Sequence, residues 1–190
     1  LVEFEGGFKD TPEWGSSFII SPWYVYQWYG DSRLIAEYYP DMQRYIEYLS
    51  SQAKDHIVAY GLGDWFDIGP NAPGVSQLTS NGVTATAIYY YDVCLMRKMA
   101  DLLGKKADVE KYKNLAAAIK TAFNKTFWNP ETKQYDRNSQ AANAVALYMG
   151  LTTPENHQQV YENLVKDIRS RNNALTAGDV GYRYVLRALE

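Results

Sequence analysis

Two carboxylates and two aromatic rings crowd one glycine-punctuated stretch, Gly61-Leu62-Gly63-Asp64-Trp65-Phe66-Asp67-Ile68-Gly69-Pro70. Glycine lets a backbone approach a ligand closely because no side chain stands between them. Trp65 offers a flat apolar face, and the carboxylates of Asp64 and Asp67 are acceptors that can each take two hydroxyl protons. A ligand with apolar ring faces and a fringe of hydroxyls is a sugar, so these residue types predict a carbohydrate-binding loop. Trp14, in Pro12-Glu13-Trp14-Gly15, is a second stacking candidate, and Glu13 beside it is a further carboxylate. Each residue also has a local explanation. An Asp beside Gly commonly bonds its own backbone in a turn, and a Trp commonly fills a core. Asp31 and Asp179 stand just ahead of helical patterns and read as caps. Trp23 and Trp28 read as packing within a helix.

The elements that must hold these residues follow from apolar periodicity. Residues 17–30 are almost wholly apolar and aromatic, which predicts a buried helix starting around Ser21-Pro22, with Pro22 in its tolerant first turn. Asp31 opens a further helix through Leu34, Ile35 and Tyr38. Pro40 kinks or restarts it, and Met42, Tyr45, Ile46 and Leu49 carry it to about Ala53. Residues 55–81 then read as a long connection, of a length more often functional than idle. From Gly82 to Leu103 apolar residues surround a helix on most sides, and Gly104 ends it. Residues 107–126 differ: Tyr112, Ala116, Ile119 and Phe123 make one stripe, with lysines opposite. Residues 127–136 form a turn with a short extended Gln134-Tyr135, and Asn124-Lys125-Thr126 before it matches a glycosylation triplet that is common by chance. Residues 139–149 are small and apolar, 154–171 amphipathic through Val160, Leu164, Val165 and Ile168, and 179–189 begin another helix.

A helix apolar all round must be buried, and a one-stripe helix must cover it. Inner and outer helices in strict alternation predict an all-α fold, either an α/α toroid or an α-solenoid of helix pairs. The irregular spacing of the inner helices, with insertions at one end of the hairpins, favours the toroid. Residues 1–190 read as part of one such domain.

Composition narrows the function. The chain has 190 residues, enough for a sizeable core. A net charge of −3 and a pI near 5.5 argue against nucleic acid or an anionic membrane surface as partner. No apolar run approaches the roughly 20 residues needed to cross a bilayer. Cys94 stands alone in an apolar run and reads as a structural thiol; His56 and His157 are far apart, so no metal site and no cofactor is expected. The 17 Tyr, 5 Trp and 6 Phe make 15% of the chain, which suits a ring-lined cleft, although filling between packed helices accounts for most of them.

Several motifs, taken in order, resemble the catalytic domain of glycoside hydrolase family 78, the α-L-rhamnosidases. They are Pro12-Glu13-Trp14-Gly15, Tyr29-Gly30-Asp31 leading to Tyr38-Tyr39-Pro40-Asp41-Met42, Gly63-Asp64-Trp65, Thr84-Ala85-Thr86, Asn138-Ser139-Gln140-Ala141-Ala142, Gly150-Leu151-Thr152-Thr153-Pro154, and Leu175-Thr176-Ala177-Gly178-Asp179-Val180-Gly181-Tyr182. The resemblance implies about half of an (α/α)6 six-hairpin barrel that removes terminal α-L-rhamnose from glycans with inversion, in a periplasmic or extracellular setting. It also implies a general acid and a general base from glutamates in motifs before Leu1 and after Glu190, so the chain alone is expected to lack both, and any export signal with them. Ser16-Ser17 stands where family members often carry an acid. On this reading Asp64, Asp67, Trp65 and Trp14 hold the sugar and steady the positive charge of its transition state. The inverting acid and base, which must stand roughly 6.5–9.5 Å apart, lie elsewhere. Other α/α-barrel enzymes (trehalase-like, phosphorylase-like, epimerase-like) remain alternatives, as does a peptide-binding helical-repeat scaffold. Inner helices left partly uncovered predict self-association.

Overall fold

The computed structural model describes residues 10–190. In chain order these form α1 (Pro12–Gly15), α2 (Ser17–Tyr29), α3 (Arg33–Gln52), α4 (Asn81–Leu102), α5 (Lys106–Phe127), β1 (Trp128–Asn129), β2 (Gln134–Tyr135), α6 (Gln140–Tyr148), α7 (His157–Ser170) and α8 (Gly181–Leu189). The loop expected over residues 1–16 lies partly outside the described residues, and its second half is not a loop, since α1 occupies it.

α4 organises the rest because its sequence leaves it almost no solvent face. Every residue from Gly82 to Tyr89 is buried, and the helix packs against α2, α3, α5 and α6. α6 is likewise buried from Gln140 to Leu147. By contrast α5 buries only Tyr112, Ala116, Ile119 and Phe123, the expected stripe, and α7 only Val160, Leu164 and Ile168. α2 touches α4, α4 touches α6 and α6 touches α8, while α3 and α5 pack behind α4 and α7 behind α6. Inner helices therefore stand side by side in an arc, with outer helices covering them from one side.

Three expectations need correction. α2 begins at Ser17, so Pro22 lies inside it. Only Ile19 on α2 is fully buried, and Trp28 is 78% exposed rather than packed. α2 meets α3 and α4, while Trp28 and Tyr29 at its C-terminal end stay exposed. α3 runs unbroken through Pro40; the one hydrogen bond that proline forfeits is a small loss in a helix of 20 residues with a five-residue buried stripe. Asp31 does take a backbone amide, that of Arg33 at 3.0 Å, but from one place ahead of the Ser32 cap position.

The expected extended piece exists as β2, paired antiparallel with β1 through Trp128–Tyr135 and Asn129–Gln134. Asn124 serves this corner. Its amide donates to the Lys120 and Leu151 carbonyls while its oxygen accepts from the Tyr135 hydroxyl, so the triplet asparagine is spent inside the fold. Cys94 is half-buried, and burial pushes its thiol above the usual range, which suits a packing role.

Candidate functional site

The segments that precede α2, α4, α6 and α8 all meet at one end of the arc. The Leu62 amide donates to Thr11 Oγ1 at 3.2 Å, joining the long loop to α1. Ser80 N donates to Asp136 Oδ2 at 2.8 Å, and Thr79 and Ser139 share a 2.6 Å hydroxyl contact, which ties that loop to the start of α6. Ile68 N donates to the Thr176 carbonyl at 2.9 Å and Asp179 N to the Trp65 carbonyl at 2.8 Å, which ties it to the start of α8. This rim is where ligand-facing side chains from separate hairpins come together.

Within it, Asp64 takes the capping place expected of Asp179. Asp64 is 1% exposed, and its carboxylate accepts the Gly178 amide (2.9 Å) and the Gly181 amide (2.6 Å), so a residue 117 positions away closes the N-terminus of α8. Burial pushes its pKa up to about 6, because desolvation outweighs the two amide bonds and the nearby Asp67 adds to it. The glycines are required by space. A Cβ on Gly181 would lie 2.6 Å from Ala141 Cβ, and one on Gly178 would collide with the Trp65 carbonyl oxygen. Asp179 does not cap α8. The cap position is Val180, without a side-chain bond, and the Asp179 carboxylate is exposed.

Asp67 is the second anchor of the loop. It is 1% exposed and accepts the amides of Gln77 (2.9 Å) and Leu78 (2.6 Å), which folds residues 67–78 back on themselves. As placed, neither Asp64 nor Asp67 has a carboxylate free for a sugar hydroxyl. Trp65 is half-buried beside Phe66, with ring centroids 5.3 Å apart.

One open hollow at this rim lies between α1, α2 and α8. It is a cavity of about 260 Å³ walled by Glu13, Trp14, Tyr24, Asp179, Arg183 and Tyr184. Trp14 is 41% exposed there. Glu13 accepts the hydroxyls of Thr11 and, at 2.7 Å, of Thr84, so it pins α1 to the first turn of α4; its burial raises its pKa. The Arg183 guanidinium lies 4.6 Å above the Tyr24 ring and forms no ion pair among the described residues. Stacking on an aromatic face leaves the in-plane N–H donors of a guanidinium available. Around one indole the cavity thus sets the exposed Asp179 carboxylate, a guanidinium without an ion pair among the described residues, and two phenols.

Of the sequence candidates, the structure brings Trp14 and Glu13 to this hollow, puts Trp65 next to it through the Asp179 amide, and buries Asp64 and Asp67 behind it. Tyr24, Arg183 and Tyr184 escaped the sequence reading. No local pattern marks them, since Tyr24 and Arg183 come together only in the fold.

A polar, ring-walled cup at the loop end of concentric helix layers is the architecture of the α/α-toroid glycosidases. The sequence matches the bacterial α-L-rhamnosidase six-hairpin glycosidase domain over residues 2–190, and the chain belongs to that family. An α-L-rhamnosidase of Formosa agariphila is 30% identical over 188 residues, which cover 93% of this chain and 19% of that protein. Among solved structures, an α-L-rhamnosidase from Dictyoglumus thermophilum superposes with a TM-score of 0.89 at 35% identity, covering 96% of this chain and 21% of its own. A Streptomyces avermitilis α-L-rhamnosidase complexed with L-rhamnose superposes with a TM-score of 0.84 at 28% identity, covering 93% of this chain and 16% of its own. These likenesses decide between toroid and solenoid: the arc is part of a six-hairpin α/α toroid. The chain spans about a fifth of the length of the relatives it matches.

Proposed function

We propose that this chain supplies one wall of the sugar pocket of an inverting α-L-rhamnosidase acting on terminal α-L-rhamnose of a glycan. The observation that carries the proposal is the cavity where Trp14, Asp179, Arg183 and Tyr24 converge at the rim. A 6-deoxy sugar has a methyl-bearing apolar face, which suits the Trp14 indole, and hydroxyls, which suit the Asp179 acceptor and the Arg183 donors. The volume falls below the roughly 300–1,000 Å³ of sites for drug-sized ligands, so it fits a single ring better than an extended oligosaccharide. Trp65 serves as a second aromatic surface on the adjoining loop. Asp64 and Asp67 serve by shape: they fix the loop that carries Trp65 and close the helix that carries Asp179 and Arg183. The carboxyl pair that protonates the leaving oxygen and activates water is supplied by other parts of the enzyme.

The test is a calorimetric titration of the chain with L-rhamnose. Saturable binding is expected, and Trp14→Ala should weaken it about tenfold or more, on the scale of one lost aromatic contact and its buried area. A chain that takes up short peptides and ignores L-rhamnose would point to the scaffold alternative.

The apolar flanks of α2 and α8, where Trp28, Tyr29, Tyr182 and Leu186 are exposed, make a surface that water solvates poorly. Sedimentation at tens of micromolar is expected to show self-association of the chain; a clean monomer would contradict it.

A further inference from the structure

The joint between α1 and α2 is a single residue, Ser16. Its amide closes α1 on the Pro12 carbonyl at 3.0 Å, and its carbonyl opens α2 by accepting the amides of Ile19 and Ile20. Its hydroxyl donates to Oδ2 of Asp92, a fully buried residue midway along α4. Among the described residues Oδ1 of Asp92 has no hydrogen-bond partner, and neither has the buried hydroxyl of Tyr45, which reaches the same corner from α3. A Cβ on Gly15 would overlap the Tyr45 hydroxyl and sit 3.2 Å from Cζ, so any larger residue there would have to displace that phenol. The corner is thus gripped from α4 by a carboxyl and blocked from α3 by a phenol.

This grip is expensive as a device for stability alone. A buried polar side chain with an unpartnered oxygen costs free energy that a well-packed apolar residue would not. Burial pushes the Asp92 pKa well up, which favours the protonated form, and a protonated carboxyl can donate as well as accept. No cationic group bonds to it among the described residues, and the charged or titratable groups that face the corner are Tyr45 from α3, Tyr184 from α8 and, beside Tyr45, Asp10. What the grip controls is direction. Trp14 and Glu13, one and two residues before Gly15, enter the cavity from the helix whose end Ser16 forms.

We propose that Asp92 is a positioning residue that, through Ser16 and against Tyr45, aims the Trp14 indole into the cavity. The function it serves rests on the sugar-pocket reading above; the placement itself can be measured without sugar. Ser16→Ala removes the donor. Asp92→Leu fills similar space without an acceptor. Asp92→Asn keeps an acceptor for Ser16 and offers a permanent donor toward Tyr45.

The experiment uses the chain labelled with 5-fluorotryptophan, with the Trp14 fluorine signal assigned from Trp14→Phe. Ser16→Ala and Asp92→Leu are expected to shift or broaden that signal while the other four tryptophans stay put, and Asp92→Asn to leave it in place. Affinity for L-rhamnose should fall at least about fivefold in the first two variants, and adding either one to Trp14→Phe should weaken that variant no further. If Asp92→Leu does not fold, Ser16→Ala alone decides. The double variant Ser16→Ala with Asp92→Leu separates aim from packing. A role in packing only predicts recovery of both stability and the Trp14 signal, whereas positioning predicts recovery of stability alone. An unmoved Trp14 signal in Ser16→Ala overturns the proposal. A moved signal without any L-rhamnose uptake by the unsubstituted chain sinks the sugar reading and leaves the positioning intact.

Discussion

Gly178→Ala will destabilise the chain by at least about 3 kcal/mol, at the upper end of overpacking costs, and will free the long loop from α8. A Cβ at this position would collide with the Trp65 carbonyl oxygen and lie 2.7 Å from both Asp64 O and Asp67 N. All three are backbone atoms, so no rotamer change can make room; either the loop or the start of α8 must move. The movement cannot stay local. The Gly178 amide is one of the two that satisfy Asp64, and the next residue donates its amide to Trp65. Urea unfolding is expected to show a lower midpoint with an unchanged slope, and hydrogen exchange to show the Asp179 amide opening first. Gly74→Ala is the control. It belongs to the same loop, but a Cβ there meets nothing within 4 Å, so its effect should be within about 0.5 kcal/mol. Equal midpoints for both variants would mean that the loop is not seated against α8.

The contrast between Asp64 and Asp179 marks how far the sequence was legible. The helix layers were open to reading because each stripe is local: Tyr112, Ala116, Ile119 and Phe123 declare their face by spacing alone, and that face is the one α5 buries. The character of α4 and α6 was equally plain, since residues apolar all round leave only one place for a helix. The site was legible by residue type and illegible by role. A loop aspartate beside glycine and tryptophan looks like a sugar ligand, and an aspartate ahead of a helix looks like its cap. The cap falls to Asp64 rather than to Asp179 because the amides of Gly178 and Gly181 find Asp64 across 114 and 117 residues, a pairing that no local rule contains. The α2 flank failed for the related reason that burial belongs to neighbours. Trp28 is as apolar as Trp23, yet only Trp23 packs against the core, with Lys98 over its ring.

Asp64→Ala will cost about 4 kcal/mol at pH 4, falling to about 1 kcal/mol at pH 7.5, so that the mutational penalty shrinks as the solution becomes more alkaline. At low pH the penalty is the exposure of two buried amides, Gly178 N and Gly181 N, left without an acceptor at about 1–3 kcal/mol each. The pH dependence comes from the carboxyl itself. Its folded pKa of about 6 lies above the ordinary 3.8, so the native chain binds this proton more tightly than the unfolded chain does. The stability contributed by that proton is full below pH 3.8 and is lost as the pH rises through 6. The loss is about 3 kcal/mol for a shift of roughly two pH units. Alanine has no proton to lose, so its stability lacks that fall, and the difference between the two curves carries the titration of Asp64 alone, other groups cancelling. Asp64→Asn should run parallel to alanine but above it, because the amide oxygen still satisfies one of the two N–H groups. Chemical unfolding at half-unit intervals from pH 4 to 8 would trace the difference. A bend centred between 4 and 6 with the gap closing upward is expected. A gap that widens with pH would reverse the sign and place the ionised carboxylate, rather than the neutral acid, as the form the fold prefers.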